Sequence, residues 1–312
     1  MEQIRKQSWI HVGFLGVLFS LFPGTSKAFC IQTTKNPLPT YRLQDGCWED
    51  GIRVWWPNEC VGYSLHHNAV QDTKIFEDAF KKWEVVQCHG EKNLHPSIHF
   101  INLGPVECDC VQYNERGPNQ NVIVYRTVWP YHDATHQLAL TTTTMDQKTG
   151  MLLDADIEFN QSMKFATAEQ IPSDAYDFIT VVQHETGHFL GLSHANTQGT
   201  VMSEEAKTGS ITLRTIKQDE MNGICALYPP SGLRFVPMSV ADKGVLKAET
   251  CDPTPRHGFS TTCDKGDPPV RGCSCQHSSS SHSSEKLSLL LECTLIVLYR
   301  FHPKRKFSTQ LS

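Results

Sequence analysis

The sequence predicts an α+β domain, because segments with helical periodicity and segments with strand alternation share one stretch of the chain. Apolar residues recur every three or four positions across 72–87, which predicts an amphipathic helix that buries one face. Four other segments are rich in alternating or β-branched residues, and we predict strands at 97–101, 121–125, 138–144 and 152–160.

Polar residues indicate where two helices begin. Asp72 precedes the amphipathic segment and can accept hydrogen bonds from free N–H groups of the first turn. Ser173 is the predicted cap of a second helix, with Asp174 and Asp177 in its positively polarised first turn. The apolar residues that follow would pack this second helix against the sheet.

The strands at 138–144 and 152–160 are separated by a short turn and predict a hairpin. On the second strand Asp154, Asp156 and Glu158 alternate with apolar residues, so the three carboxylates share one face. Two interpretations of this face remain open. It is either a solvated polar surface or a calcium site, since Ca²⁺ prefers carboxylate ligands.

The second helix carries the most specific motif in the chain, an unbroken HExxHxxGxxH. His184 and His188 lie four residues apart, so both imidazoles share one helix face and can reach the same ion. Glu185 would rotate toward the same cleft, and Gly191 would let the helix end and return His194 as a third ligand. Three neutral nitrogens leave one zinc position open, as in catalytic sites.

These residues resemble the metzincin family of zinc endopeptidases and, within it, the matrixins in a bacterial form. The resemblance covers about residues 70–230: 76–83 is similar to the first helix of a matrixin catalytic domain, and 219–229 to its last. Met202 matches the metzincin methionine that lies in a tight turn beneath the histidines. The resemblance implies a twisted, mostly parallel sheet with an antiparallel edge strand and three helices.

The resemblance also implies roles for individual residues. Zinc on His184, His188 and His194 would lower the pKa of a water to about 7, and Glu185 would be the general base. The strand at 138–144 would bind an extended substrate as an added antiparallel strand, the alternative being an ordinary edge strand. The predicted substrate contacts on it are Leu138, Ala139, Leu140 and Thr141.

Two features depart from the matrixin pattern. Where matrixins usually carry Tyr or Pro after the methionine, this chain has Ser203, Glu204 and Glu205, so one hypothesis is a preference for Lys or Arg after the scissile bond. Matrixins also hold a structural zinc through His and Asp ligands. The segment 132–136 is faintly similar, but the strands that should supply the later histidines lack them, so we expect no structural zinc.

Both ends of the chain have the character of targeting segments. Residues 1–28 combine a basic start, a short apolar run and a small-x-small cleavage site, which predicts a secretory signal peptide and a mature chain beginning at Phe29. Residues 272–312 combine Cys273, a Ser/His tract, an apolar segment and a basic end. This tail resembles the MYXO-CTERM sorting tails that hold secreted bacterial proteins at the surface. The alternative is a low-complexity end that carries no sorting signal.

Twelve cysteines in a chain with a predicted export signal indicate disulfides. Seven lie in the predicted catalytic domain, residues 29–230, so at least one of them is free or pairs outside it. Cys251 and Cys263 predict a small disulfide loop within a linker at 231–271. Cys30 is by position a candidate for a thiol that ligates the zinc and holds an enzyme latent, against a plain disulfide.

The formal net charge is −5 and becomes −7 without residues 1–28, and the body of the chain has no basic stripe. The chain is therefore a poor candidate for nucleic-acid binding, which depends on basic clusters. We therefore expect a monomeric, secreted or surface-held zinc endopeptidase that acts on polypeptides. Two other classes stay open: a zinc-binding surface protein, or latent enzyme, that mainly binds a partner, and a zinc hydrolase of a non-peptide amide. Activity on unfolded protein substrates would separate the classes.

Overall fold

The computed structural model describes residues 29–131 and 135–263 and the backbone of 306–311; the predicted signal peptide and most of the predicted sorting tail lie outside these residues. The helices are α1 (Thr73–Glu84), α2 (Phe178–Phe189) and α3 (Gln218–Leu227), and the short 3₁₀ turns are Leu43–Asp45, His67–Asp72 and Cys88–Gly90. The strands are β1 (Cys60–His66), β2 (His99–Val106), β3 (Val122–Arg126), β4 (Ala139–Met145), β5 (Leu152–Asn160), β6 (Phe165–Ala166), β7 (Tyr176–Asp177), β8 (Leu233–Phe235), β9 (Val245–Lys247) and β10 (Lys306–Leu311).

The main sheet has the order β10-β4-β5-β3-β1-β2. Strands β1, β2, β3 and β5 are parallel, whereas β4 is antiparallel to β5. The predicted α+β class, with a mostly parallel sheet, an antiparallel strand and three helices, is therefore confirmed. The predicted edge position of β4 needs correction, because β10 pairs antiparallel with its outer side from Ala139 to Thr144.

Helix α1 forms where the periodicity predicts it and buries Phe76, Phe80 and Trp83 against α2 and the sheet. Trp83 Nε1 donates to Thr186 Oγ1 at 3.0 Å, which satisfies the indole nitrogen in the core. Asp72 lies at the N-cap position but makes no capping hydrogen bond. Its carboxylate instead accepts the Tyr125 hydroxyl at 2.7 Å.

Helix α2 begins later than predicted, because Asp177 and not Ser173 is its N-cap. The Asp177 carboxylate accepts the Thr180 N–H at 3.2 Å and is held by Arg214 Nε at 2.7 Å. Residues 172–175 instead form a turn that leads into β7, in which the Ala175 N–H donates to the Pro172 carbonyl at 3.0 Å. The guanidinium of Arg214, from a segment 37 residues further along the chain, thus stabilises Asp177 at the N-cap position.

The acidic face of β5 is buried, so its interpretation as a solvated surface is wrong. Both Glu158 oxygens accept hydrogen bonds at 2.5 Å, one from Arg126 Nε and one from the Tyr131 hydroxyl. Asp156 accepts the Val122 N–H at 2.8 Å, and burial followed by the neighbouring Asp154 raises the pKa of Asp156 well above its usual value. The calcium interpretation stays a prediction.

The described part of the predicted linker packs on the domain as an integral layer. Arg234 is 0% exposed and lies over the Tyr228 ring, 4.9 Å from its centroid. Its guanidinium donates to the carbonyl oxygens of Trp56 at 2.9 Å, Ser97 at 2.8 Å and Asn58 at 3.2 Å. Carbonyl oxygens and an aromatic face replace water around this charge, so its burial is tolerated. The same hydrogen bonds hold β8 against residues near the start of the sheet.

Two disulfides fasten the same segment, and the predicted Cys251–Cys263 loop is therefore wrong. Cys251 pairs with Cys60 on β1, and Cys263 pairs with Cys108 beyond β2. The remaining described pairs are Cys30–Cys47 and Cys88–Cys225. Some of the seven cysteines in 29–230 thus pair with cysteines outside that range, which explains their odd number. Cys30 is in a disulfide and has no free thiol with which to ligate a metal.

We expect a chain that ends at residue 230 to unfold at a much lower temperature than one that ends at 263. The shorter chain loses Arg234 from the core and two disulfides that close loops of 191 and 155 residues. Each such crosslink stabilises by about 4–5 kcal/mol in the chain-entropy treatment. Thermal unfolding of both chains measures the difference, and equal midpoints would show that 231–263 is a true linker.

None of the helices within the described ranges combines the length and the apolar character needed to cross a bilayer.

Candidate metal centre

Three histidines converge at the end of α2. His184 and His188 lie on one face of the helix, and Gly191, with a φ of +97°, ends it in a conformation that disfavours side chains. The chain then turns back and brings His194 beside the other two. One ligand atom from each imidazole lies within 4.8 Å of the others, which is the spacing of donors around one ion.

Hydrogen bonds fix the orientation of two of these rings. His184 Nδ1 lies 2.7 Å from the Val201 carbonyl oxygen, and His188 Nδ1 lies 2.9 Å from that of Leu192. A carbonyl only accepts, so each Nδ1 carries the proton and each Nε2 keeps its lone pair. Both Nε2 atoms are buried without a hydrogen-bond partner among the described residues.

The charge state of the rings also suits a metal. Burial, with the neighbouring His194, lowers the pKa of His184 to about 3, and burial lowers that of His188 well below its usual value. Both imidazoles are therefore neutral at pH 7, as zinc ligands must be. The two rings are therefore neutral, each is held through Nδ1 by a backbone carbonyl, and each keeps an Nε2 lone pair for a ligand. This combination fits a zinc ion.

Glu185 adds a carboxylate to this centre and is 0% exposed. Its Oε2 atom accepts the Thr141 hydroxyl at 2.5 Å, while Oε1 has no partner among the described residues. Burial raises the pKa of Glu185 to about 8, and the Thr141 hydrogen bond opposes that rise. A cation held by the histidines would favour the ionised form.

Met202 lies in a hydrogen-bonded turn against α2. The Ser203 N–H donates to the Thr200 carbonyl at 3.1 Å, and Met202 N–H donates to Glu220 Oε1 of α3 at 3.1 Å. The sulfur would be 2.4 Å from a Cβ placed on Gly187, so only glycine permits this close packing one residue before His188.

The four predicted substrate contacts lie on or just before β4, next to α2, and their side chains are buried. They are Leu138, Ala139, Leu140 and Thr141. Burial leaves the backbone of β4 as the group that could pair with a substrate. The three residues that follow Met202 differ in exposure: Ser203 is buried, whereas Glu204 and Glu205 are exposed.

Sequence patterns gave no signal for the side chains that hold the end of α2. Gln32 Nε2 donates to the His188 carbonyl at 3.1 Å, Trp56 Nε1 to that of Phe189 at 2.8 Å, and the Tyr228 hydroxyl to that of Leu190 at 2.7 Å. Each donor is more than thirty residues away in sequence. These bonds satisfy the orphan carbonyls of the helix end that carries the histidines.

Three other candidate sites differ from the three-histidine centre. The cysteines of the group Asp109, Cys110 and Cys263 are disulfide-bonded and therefore unavailable as thiolate ligands. Part of the predicted structural-zinc segment, 132–134, lies outside the described residues. A cavity of about 620 Å³ near Tyr125 and Phe178 contains none of the three histidines.

Comparison with known proteins agrees with this geometry. Residues 126–229, about a third of the chain, match the family model of the matrixins. Interstitial collagenase from Equus caballus is 38% identical over 78 residues, which are 25% of this chain and 15% of the relative. The chain thus matches only a small part of that relative's length. The matched segment contains the three histidines, Glu185 and Met202, and it is similar to a matrixin domain.

Proposed function

We propose that this protein is a secreted zinc-dependent endopeptidase. The observation that carries the proposal is the cluster of His184, His188 and His194, whose ligand atoms lie within 4.8 Å of one another. Nε2 of His184, Nε2 of His188 and Oε1 of Glu185 are also buried without a hydrogen-bond partner among the described residues. Buried polar atoms are almost always paired, so these atoms fit a metal ion and the water that it would bind. The matrixin match over the same residues supports zinc as that ion.

In the proposed mechanism His184, His188 and His194 hold the metal. Zinc, when bound, supplies a Lewis acid that polarises the scissile carbonyl and makes a water acidic near neutral pH. Glu185 Oε1 takes the proton from the attacking water and delivers it to the leaving amine. The buried surroundings of Glu185 strengthen these interactions because little solvent screens them.

An extended polypeptide would pair with the outer backbone of β4, the edge beside α2. In this structure that edge is paired with the chain's own β10, in register from Lys306 opposite Thr144 to Leu311 opposite Ala139. A substrate strand in this position must displace residues 306–311. The same pairing favours, as a second candidate, a latent form of the enzyme.

We expect removal of residues 264–312 to lower the KM for casein and leave kcat nearly unchanged, because the edge of β4 becomes accessible. The comparison is between the full chain and a chain that ends at 263, at equal zinc content. An unchanged or higher KM in the shorter chain would contradict competition by β10.

Location and partners belong to the same proposal. Four described disulfides suit an oxidising, extracellular setting. The signal peptide at 1–28 and surface attachment through 272–312 remain proposals, as do a monomeric state, the absence of nucleic-acid binding and the absence of a structural zinc. Exposed Glu204 and Glu205 keep open a preference for Lys or Arg after the scissile bond.

Substrate class is tested by offering the purified full chain unfolded casein and, separately, a panel of small non-peptide amides. Casein fragments with internal cleavage sites support an endopeptidase. Hydrolysis of the amides alone would move the protein to another class of zinc hydrolase, and zinc binding without hydrolysis of either would favour a binding or latent protein.

A further inference from the structure

Thr141 lies between the sheet and the zinc helix. Its side chain points from β4 toward α2 and is 0% exposed. The hydroxyl oxygen lies 2.5 Å from Glu185 Oε2 and 3.2 Å from the Glu185 carbonyl oxygen. When a bound cation keeps Glu185 ionised, the closer contact is a hydrogen bond from a neutral donor to a carboxylate, a class that is shorter and stronger than neutral pairs.

The strand around Thr141 is held on both sides. It is opposite Ile157 in β5 and Thr309 in β10. A β-branched side chain also has few accessible rotamers, so a fixed backbone fixes the hydroxyl. The donor is therefore already in place before a substrate or metal arrives.

This contact gives the two Glu185 oxygens different surroundings. Oε2 is anchored by Thr141, whereas Oε1 is buried with no partner among the described residues. The terminal torsion of a glutamate is intrinsically broad, so an unanchored carboxylate would rotate and present either oxygen, or neither, to the metal side.

We propose that Thr141 is a positioning residue, whose hydroxyl fixes the rotation of the Glu185 carboxylate so that Oε1 faces the reacting water. Thr141 touches neither substrate nor metal in this role and acts through Glu185. The inference rests on the proposed endopeptidase function and adds to it a residue that the matrixin motif does not include. It adds support of the base to the predicted role of Thr141, which is to pair with a substrate through the backbone of its strand.

The test replaces Thr141 in the full chain with Val, which keeps the shape and removes the hydroxyl, and with Ser, which keeps the hydroxyl. We expect Thr141→Val to lower kcat for a casein-derived peptide by about tenfold or more, the scale of one hydrogen bond to a charged group. KM should stay within about twofold, because no substrate contact is lost. Thr141→Ser should recover most of the lost kcat.

Thr143→Val is the matched control, because Thr143 lies on the same face of β4 and its hydroxyl donates to Gln32 at 3.2 Å and not to Glu185. Its kcat should stay near that of the wild type. Zinc content and thermal midpoint are measured for every variant. If Thr141→Val does not fold, the Thr141→Ser and Thr141→Ala pair gives the same comparison.

A readout independent of activity is the crystal structure of metal-free Thr141→Val. We expect the Glu185 carboxylate to be rotated or to occupy two conformers there, and to keep one conformer in Thr143→Val. A wild-type-like carboxylate, or a KM effect with unchanged kcat, would overturn the positioning role. If the wild type itself fails to cleave casein, the proposed function fails, while the crystallographic comparison still tests the Thr141 contact.

Discussion

Replacing Glu185 with Gln is expected to lower kcat for casein cleavage by roughly 10²- to 10⁴-fold, the contribution of a positioned general base. The amide has nearly the same shape as the carboxylate and can still accept the Thr141 hydroxyl, so the fold should be retained. It cannot take a proton from water, however. The measurement is kcat on an unfolded casein substrate, with zinc content determined in the same samples.

The control for this substitution is Glu77→Gln, which removes a carboxylate from the exposed face of α1 and should cleave casein as the wild type does. We expect the Glu185 variant to retain about one zinc per chain, because Glu185 is not a proposed ligand. Cleavage by Glu185→Gln within about tenfold of the wild type would show that another group serves as the base.

Replacing His188 with Ala is expected to abolish both zinc retention and proteolysis. The substitution removes one of three neutral ligands and leaves two, which cannot complete the protein side of a catalytic zinc site. In the wild type, added zinc should raise the unfolding free energy by about 4 kcal/mol at a concentration a thousandfold above Kd. In the variant the same addition should have little effect.

His99→Ala is the matched control for the histidine substitution. His99 is an exposed histidine on β2. Its replacement should leave zinc content and the zinc-dependent rise in stability unchanged. A His188 variant that still binds about one zinc with wild-type stability would contradict the three-histidine centre.

Local features of the site were predictable because they depend on spacing along one helix. The interval of four residues puts His184 and His188 on one face whatever packs around them. Gly191 permits the turn that returns His194, and Met202 follows in a turn of its own. The helix spacing is local in sequence and could be predicted from it alone, whereas the role of Met202 was implied by the resemblance to metzincins.

The errors concern long-range contacts. Ser173 and Asp177 are both good cap residues, and Arg214 decides between them by pairing with Asp177. One of the two interpretations of the acidic face, a solvated surface, is wrong because Arg126 and Tyr131, which bind Glu158, come from other segments. Nothing in a pattern of alternation identifies such partners.

The contacts made after residue 230 could not be predicted from composition for the same reason. The segment after it has little regular structure, so its composition indicated a linker. Its anchors are Arg234, which donates to the Trp56 carbonyl, and two disulfides, to Cys60 on β1 and to Cys108 beyond β2. These partners lie more than a hundred residues earlier. The number of cysteines predicts disulfides, but spacing alone does not determine which pairs form.

Zinc titration of metal-free full-length protein, with casein hydrolysis followed at each addition, is the most direct test of the proposed zinc endopeptidase. The three-histidine centre with Glu185 predicts that hydrolysis is absent without metal and rises in proportion to zinc up to about one equivalent per chain. Hydrolysis that is independent of zinc, or one bound equivalent without any cleavage in a chain that ends at residue 263, would contradict it.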